Sequence, residues 1–165
     1  MNKAAKVIGV VVGSVFLVGG GCTIANMEYQ RRAIPAKLAT GMFYAEGSCG
    51  DWLSYQGAQV FTLKKHTIAA LKSEGLHFFE DIGSPTNRAK HAYFGGKWQT
   101  TPIPDAGKSD GPLANMYCAM ERSWRWPAGI SEALQHAGGF YQTGGGRTLI
   151  VLPEQGYIVA VASDR

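Results

Sequence analysis

Arg147-Thr148-Leu149-Ile150-Val151-Leu152, then Pro153-Glu154-Gln155-Gly156, then Tyr157-Ile158-Val159-Ala160-Val161-Ala162 is the stretch that decides the fold. Two β-rich runs flank four residues of turn-forming type, the pattern of a hairpin. So short a connection joins antiparallel strands. Both runs are nearly all apolar and do not alternate with polar residues. The hairpin is therefore expected to be central in a sheet or covered on both faces.

Upstream of the hairpin, Ile130, Ala133, Leu134 and Ala137 keep the spacing of one helix face, with Pro127 ahead and Gly138 behind. Leu113, Met116, Tyr117 and Met120 repeat that spacing. Residues 100–112 hold three prolines and two glycines and read as a long loop. Residues 91–99, with Tyr93, Phe94 and Trp98 around Gly95-Gly96, read as a bulged strand. Ala58 to Leu63 reads as a strand, and His66 to Glu74 as a helix stopped by Gly75. Met42-Phe43-Tyr44 is a short apolar run before the turn-rich segment 47–51.

The other end of the chain has a different composition. Lys3 and Lys6 precede Val7 to Val18, twelve uncharged residues, and then Gly19-Gly20-Gly21-Cys22. A basic start, a short apolar core and small residues make an export-signal pattern. With the cysteine after the small residues, the segment resembles a bacterial lipoprotein signal. That resemblance implies that Cys22 becomes the lipid-bearing first residue of the mature protein. It also implies a lean towards the outer membrane, since Thr23 rather than Asp follows. A second reading stands beside it. Val7 to Met27 is 21 residues without a charge, and at about 1.5 Å per residue it reaches roughly the 30 Å of a bilayer core. Gly9 and Gly13 would give such a helix a close-packing row. Cleavage after Ala25, releasing a soluble secreted domain, is the third. Arg31, Arg32 and Lys37 follow the segment, so the positive-inside rule does not vote for one orientation.

The expected fold class is therefore α+β. An N-terminal membrane segment leads into one small domain whose C-terminal antiparallel hairpin lies in a mixed or antiparallel sheet covered by helices. Residues 1–25 form the signal or anchor, 26–40 a neck and 41–165 a globular envelope domain. Composition fits one folded unit: 45% hydrophobic and 17% charged residues exclude a disordered chain. The formal charge of +4 comes from 16 basic and 12 acidic residues, and Lys3 and Lys6 lie in the N-terminal segment. The remaining 14 against 12 is too balanced for a nucleic-acid partner.

Cys49 and Cys118 are the two cysteines outside the anchor. An even pair in an exported domain is expected to form a disulfide. Metal-ligand spacing is missing: there is no C-x-x-C, and His66, His77, His91 and His136 are scattered. No metal and no cofactor is expected.

Catalytic motifs fail in turn. Phe140-Tyr141-Gln142-Thr143-Gly144-Gly145-Gly146 followed by the hairpin, with His136-Ala137-Gly138 just before, resembles the closing strands of penicillin-recognising serine hydrolases over residues 136–163. The resemblance implies a substrate-binding role for the 136–138 triplet. It does not extend to the nucleophile. No Ser-x-x-Lys is present, Thr62-Leu63-Lys64-Lys65 being the nearest, and the family's second motif is missing. There is no P-loop. No catalytic residue is assigned.

Trp124-Arg125-Trp126-Pro127 is the remaining cluster, with Arg122 nearby and Trp98 elsewhere. In an extended segment the two indoles share a face. Indoles with arginines make binding hot spots and sugar-stacking surfaces, though tryptophan is also a core residue. The expected function is a membrane-anchored cell-envelope protein, non-catalytic, that binds a partner protein or wall polymer on the extracytoplasmic side. Its binding face would be Trp98, Arg122, Trp124, Arg125 and Trp126. The alternative is a small or degenerate envelope serine hydrolase.

Overall fold

In the computed structural model, which describes residues 31–49, 56–82, 96–108, 111 and 113–163, the C-terminal hairpin is the middle of a sheet. Strands β5 (Arg147–Leu152) and β6 (Tyr157–Ser163) pair antiparallel from Arg147↔Ala162 to Leu152↔Tyr157. β6 also pairs with β2 (Gln56–Leu63), and β5 with β4 (Phe140–Gly144). The flanks are β1 (Thr40–Ser48) beside β2 and the two-residue β3 (Gln99–Thr100) beside β4. The sheet order is β1-β2-β6-β5-β4-β3, and every neighbouring pair is antiparallel. The turn between β4 and β5 has Gly145 and Gly146 at φ 59° and 76°. Two successive positive φ values match the twist of a tight hairpin, and glycine adopts them without steric cost.

Side chains alternate across a strand, so the two apolar runs feed two cores. Leu149, Val151, Ile158 and Ala160 enter a first core with Phe61, Leu63 and Phe140. Ile150, Leu152, Val159 and Val161 enter a second core with Ala58, Val60 and Tyr141.

The first core is closed by three short pieces. Helix α1 (Lys65–Glu74) buries Thr67 and Leu71 and ends where the Gly75 amide returns to the Leu71 carbonyl. A 3-10 turn (Gly75–Phe79) inserts Phe78 and Phe79. The segment read as a polar neck supplies Ala33, Ile34 and Leu38, all buried. Trp98 stacks on Phe79 at 3.9 Å between ring centres.

The second core is closed by helix α2 (Ala114–Arg122), which buries Met116 and Ala119, and by the one-turn helix α3 (Ile130–Ala133). Ile103 and Ala106 of the loop between β3 and α2 complete it.

The expectation of an α+β domain with a helical cover is corrected. The described residues form a six-stranded, wholly antiparallel sheet with few helices. Two causes are visible. The helix expected over 128–137 spans only Ile130–Ala133, and Ala137 is exposed. Residues 40–48, of which only Met42-Phe43-Tyr44 read as a short apolar run, make a nine-residue strand. Among the described residues no helix is long and apolar enough to cross a membrane. Residues 1–25 with Cys22, most of the bulged strand expected over 91–99, and Asp51 lie outside the described residues.

Candidate functional site

α2 sits on β1 and β2 because of one glycine. A Cβ at Gly47 would run into the Ala119 carbonyl, so only glycine lets the helix lie this close to the strand. Next to that contact, Cys118 of α2 is joined to Cys49, just past β1, with the Cα atoms 6.0 Å apart. The disulfide closes a loop with a sequence separation of 69. A loop of that size is worth about 4 kcal/mol in the chain-entropy account. Helix and edge strand are therefore held together twice, by packing and by a covalent bond.

The chain leaves α2 at Ser123, whose amide still reaches the Met120 carbonyl while its backbone turns extended. Arg122, exposed in the last turn, suits the negative end of the helix dipole. Residues 124 and 125 then form a turn. The turn sends the two indoles in different directions, so they do not share the single face an extended segment would give them. Trp124 is 90% exposed. Trp126 is half-buried against the second core, and its indole N–H is enclosed without an acceptor among the described residues.

Arg125 connects the turn to the sheet. Its guanidinium lies 5.2 Å from the Trp124 ring centre and 5.7 Å from that of Tyr44 on β1. Cation–π contacts at this range contribute about 0.5–1 kcal/mol at exposed sites. Tyr44 in turn meets Tyr157 edge-on at 5.1 Å. Burial raises the Tyr157 phenol above its ordinary pKa, and a hydrogen bond and charge repulsion from Tyr44 add to the effect.

The result is a shallow cleft of 210 Å³ with Phe43, Tyr44, Ala45 and Glu46 on one wall and Ser123, Trp124 and Arg125 on the other. Glu46 accepts a hydrogen bond from Gln59 at 3.1 Å. Of the five residues expected to form a binding face, Trp124 and Arg125 border this cleft and Arg122 lies just before them. Trp126 turns towards the core. Trp98 belongs to the first core, on the opposite side of the sheet. Tyr44 and Glu46 were not singled out as face residues in the sequence, because a bulge in a strand decides where they point.

A second cleft, of 280 Å³, contains the triplet that resembles the hydrolase motif. His136, Ala137 and Gly138 line it with Glu132, Glu154 and Gln155. Among the described residues lining it there is no serine, threonine, cysteine or lysine to act as nucleophile. Thr62 donates its hydroxyl to the Met42 carbonyl at 3.3 Å. Cys49 is spent in the disulfide and offers no thiolate to a histidine. His77 pairs with Glu80 at 2.8 Å on the open surface. Among the described residues no group of three or more His, Cys, Asp or Glu is placed to hold a metal ion.

No protein family, curated protein or solved structure matches this chain.

Proposed function

We propose that the chain is a membrane-anchored cell-envelope protein whose folded part is a non-catalytic binding or assembly module on the extracytoplasmic side. Its recognition surface is the cleft of Tyr44, Trp124 and Arg125. One observation carries the reading. Trp124 stands almost fully in water beside an arginine, on a turn that follows directly from a helix locked to the sheet. An indole left in solvent contributes little to folding, yet tryptophan is among the commonest anchors of protein interfaces. A rigid support lowers the ordering cost of binding.

The location rests on different supports. Disulfides persist in oxidising compartments such as the periplasm and the cell surface, and the export pattern of residues 1–25 points the same way. Attachment through a lipid on Cys22 and attachment through an uncleaved helix both fit that pattern.

The test compares native protein with Trp124→Ala after detergent release from membranes. The variant should keep its thermal midpoint and lose the species that co-purify stoichiometrically with the native chain. Unchanged co-purification would end the reading. Cys22→Ala separates the two attachments. A change in membrane retention or in apparent mass supports the lipid, and no change in either supports the helix.

A further inference from the structure

The chain enters the fold on one side of the sheet. Ala33, Ile34 and Leu38 are buried in the first core, so the neck is pinned to the face that α1 and the 3-10 turn cover. α2 closes the opposite face, and the turn that presents Trp124 follows it. Six residues lead from Met27, the end of the uncharged run, to Ala33. Fully extended they reach about 20 Å. A domain of this size is roughly 35 Å across. Charge is divided in the same way. The first-core cover exposes Arg31, Arg32 and Lys37 on the neck and Lys64 and Lys65 at the start of α1. The Lys64 amide bonds the Ala39 carbonyl at 3.0 Å, which brings the lysine pair to the end of the neck. Lys72 is paired with Glu154 at 2.9 Å. The acids of this cover are Glu74, at the far end of α1, and Glu80 and Asp81 beyond it. A helix of ten residues is about 15 Å long, more than the roughly 8 Å over which charges act at physiological salt. Glu74 therefore does not cancel the lysine pair. On the second-core cover Lys108, Arg122 and Arg125 are matched by Asp105, Glu121 and Glu132.

Resting on the proposed membrane attachment, we infer that the first-core cover is the membrane-facing side of the domain, with Lys64 and Lys65 against the headgroups of anionic phospholipids. An anchor helix ending at Met27 leaves a tether too short to lay the second-core cover on the bilayer. Attachment at Cys22 leaves eleven residues before Ala33 and a reach of about 40 Å. There the charge turns the same cover inward, because anionic headgroups attract lysine within a Debye length. Leu76, 43% exposed on the 3-10 turn, gives this cover an apolar side chain for the interfacial layer. The cleft of Tyr44, Trp124 and Arg125 then opens away from the bilayer, towards a partner that approaches from beyond it.

The experiment reconstitutes the full-length protein into two kinds of vesicle, phosphatidylcholine alone and phosphatidylcholine with phosphatidylglycerol. Lysines are acylated with a membrane-impermeant ester and the rates are read by mass spectrometry. On the anionic vesicles Lys64 and Lys65 should react about fivefold more slowly than on the neutral ones. Lys108, exposed on the loop of the second core, should react alike on both. Molar salt should remove the difference. Equal rates at Lys64 and Lys65 on both vesicles, with the protein floating on both, overturn the inference and leave the attachment standing. Slowing at Lys108 in place of the lysine pair means that the opposite cover meets the lipid, and overturns it too. Protein that floats with neither vesicle removes the attachment, and the inference with it.

Discussion

Gly47 lies against the backbone of Ala119 with no space for a side chain between them. The strand and the helix meet there, beside the Cys49–Cys118 bond and at the base of the turn that presents Trp124. Any atom added at Gly47 pushes on helix backbone, which cannot step aside as a flexible side chain would. Gly47→Ala should lower stability by about 1–3 kcal/mol, the usual cost of overpacking. Urea unfolding followed by circular dichroism measures it. A variant as stable as the native protein would mean that α2 does not sit so close.

Removal of the bond itself is the second test. Cys49→Ala with Cys118→Ala should cost about 4 kcal/mol and lower the thermal midpoint, with the native protein in reductant matching the double variant. Both thiols reacting freely in unfolded, non-reduced native protein would refute the bond.

The two neighbouring tryptophans should behave oppositely. Trp124→Ala should change stability by no more than about 0.5 kcal/mol, as exposed positions do. Trp126→Ala, cut from the edge of the second core, should cost about 2 kcal/mol or more. Acrylamide should quench Trp124 and spare Trp126. Equal costs would contradict the turn at 124–125.

At the sheet centre, Val159 has no exposure at all. Val159→Ala removes two buried methyl groups and should cost about 2 kcal/mol. A loss below about 0.5 kcal/mol would show that the second core is loosely packed there.

Tyr157 gives a pH signature. Its folded pKa lies above the value near 10 of a free phenol, so the unfolded chain loses that proton first as pH rises. Its contribution is whole below about pH 10 and declines above it, towards the raised folded value. Tyr44→Phe should bring the Tyr157 titration back towards 10 in ultraviolet absorbance and shrink that loss. Titration at an ordinary value in the native protein would refute the contact.

The hairpin was legible because two long apolar runs with a turn between them admit little else. α1 and α2 were legible for the same kind of reason, since Leu113, Met116 and Tyr117 keep one helix face. β1 was not. Gly41 and Gly47 interrupt it, and its register shifts between Thr40 and Phe43 and again between Phe43 and Ala45. A bulge sets two residues against one and destroys the alternation by which a strand is recognised. The same bulge turns Tyr44 towards Arg125, so the half of the cleft that comes from β1 was hidden with it. Trp124 and Arg125 stood out by type, but nothing local to Trp124-Arg125-Trp126 announces a turn that separates the indoles. Trp98 was grouped with them by type alone, and the sheet places it on the other side.

One consequence of the two cores reaches beyond stability. From Thr148 to Leu152 and from Ile158 to Ala162 every side chain is buried. In a half-wet sheet, sliding a strand by one residue would drag apolar groups into water, and that penalty keeps strands aligned. Here the slide would only exchange Leu149 and Val151 with Ile150 and Leu152 between two dry compartments. Alignment at the centre of this protein is therefore entrusted to its punctuation: Gly145-Gly146 at one end of β5 and Pro153 to Gly156 at the other. One residue inserted in either turn would yield a chain that still collapses, with its interior turned inside out.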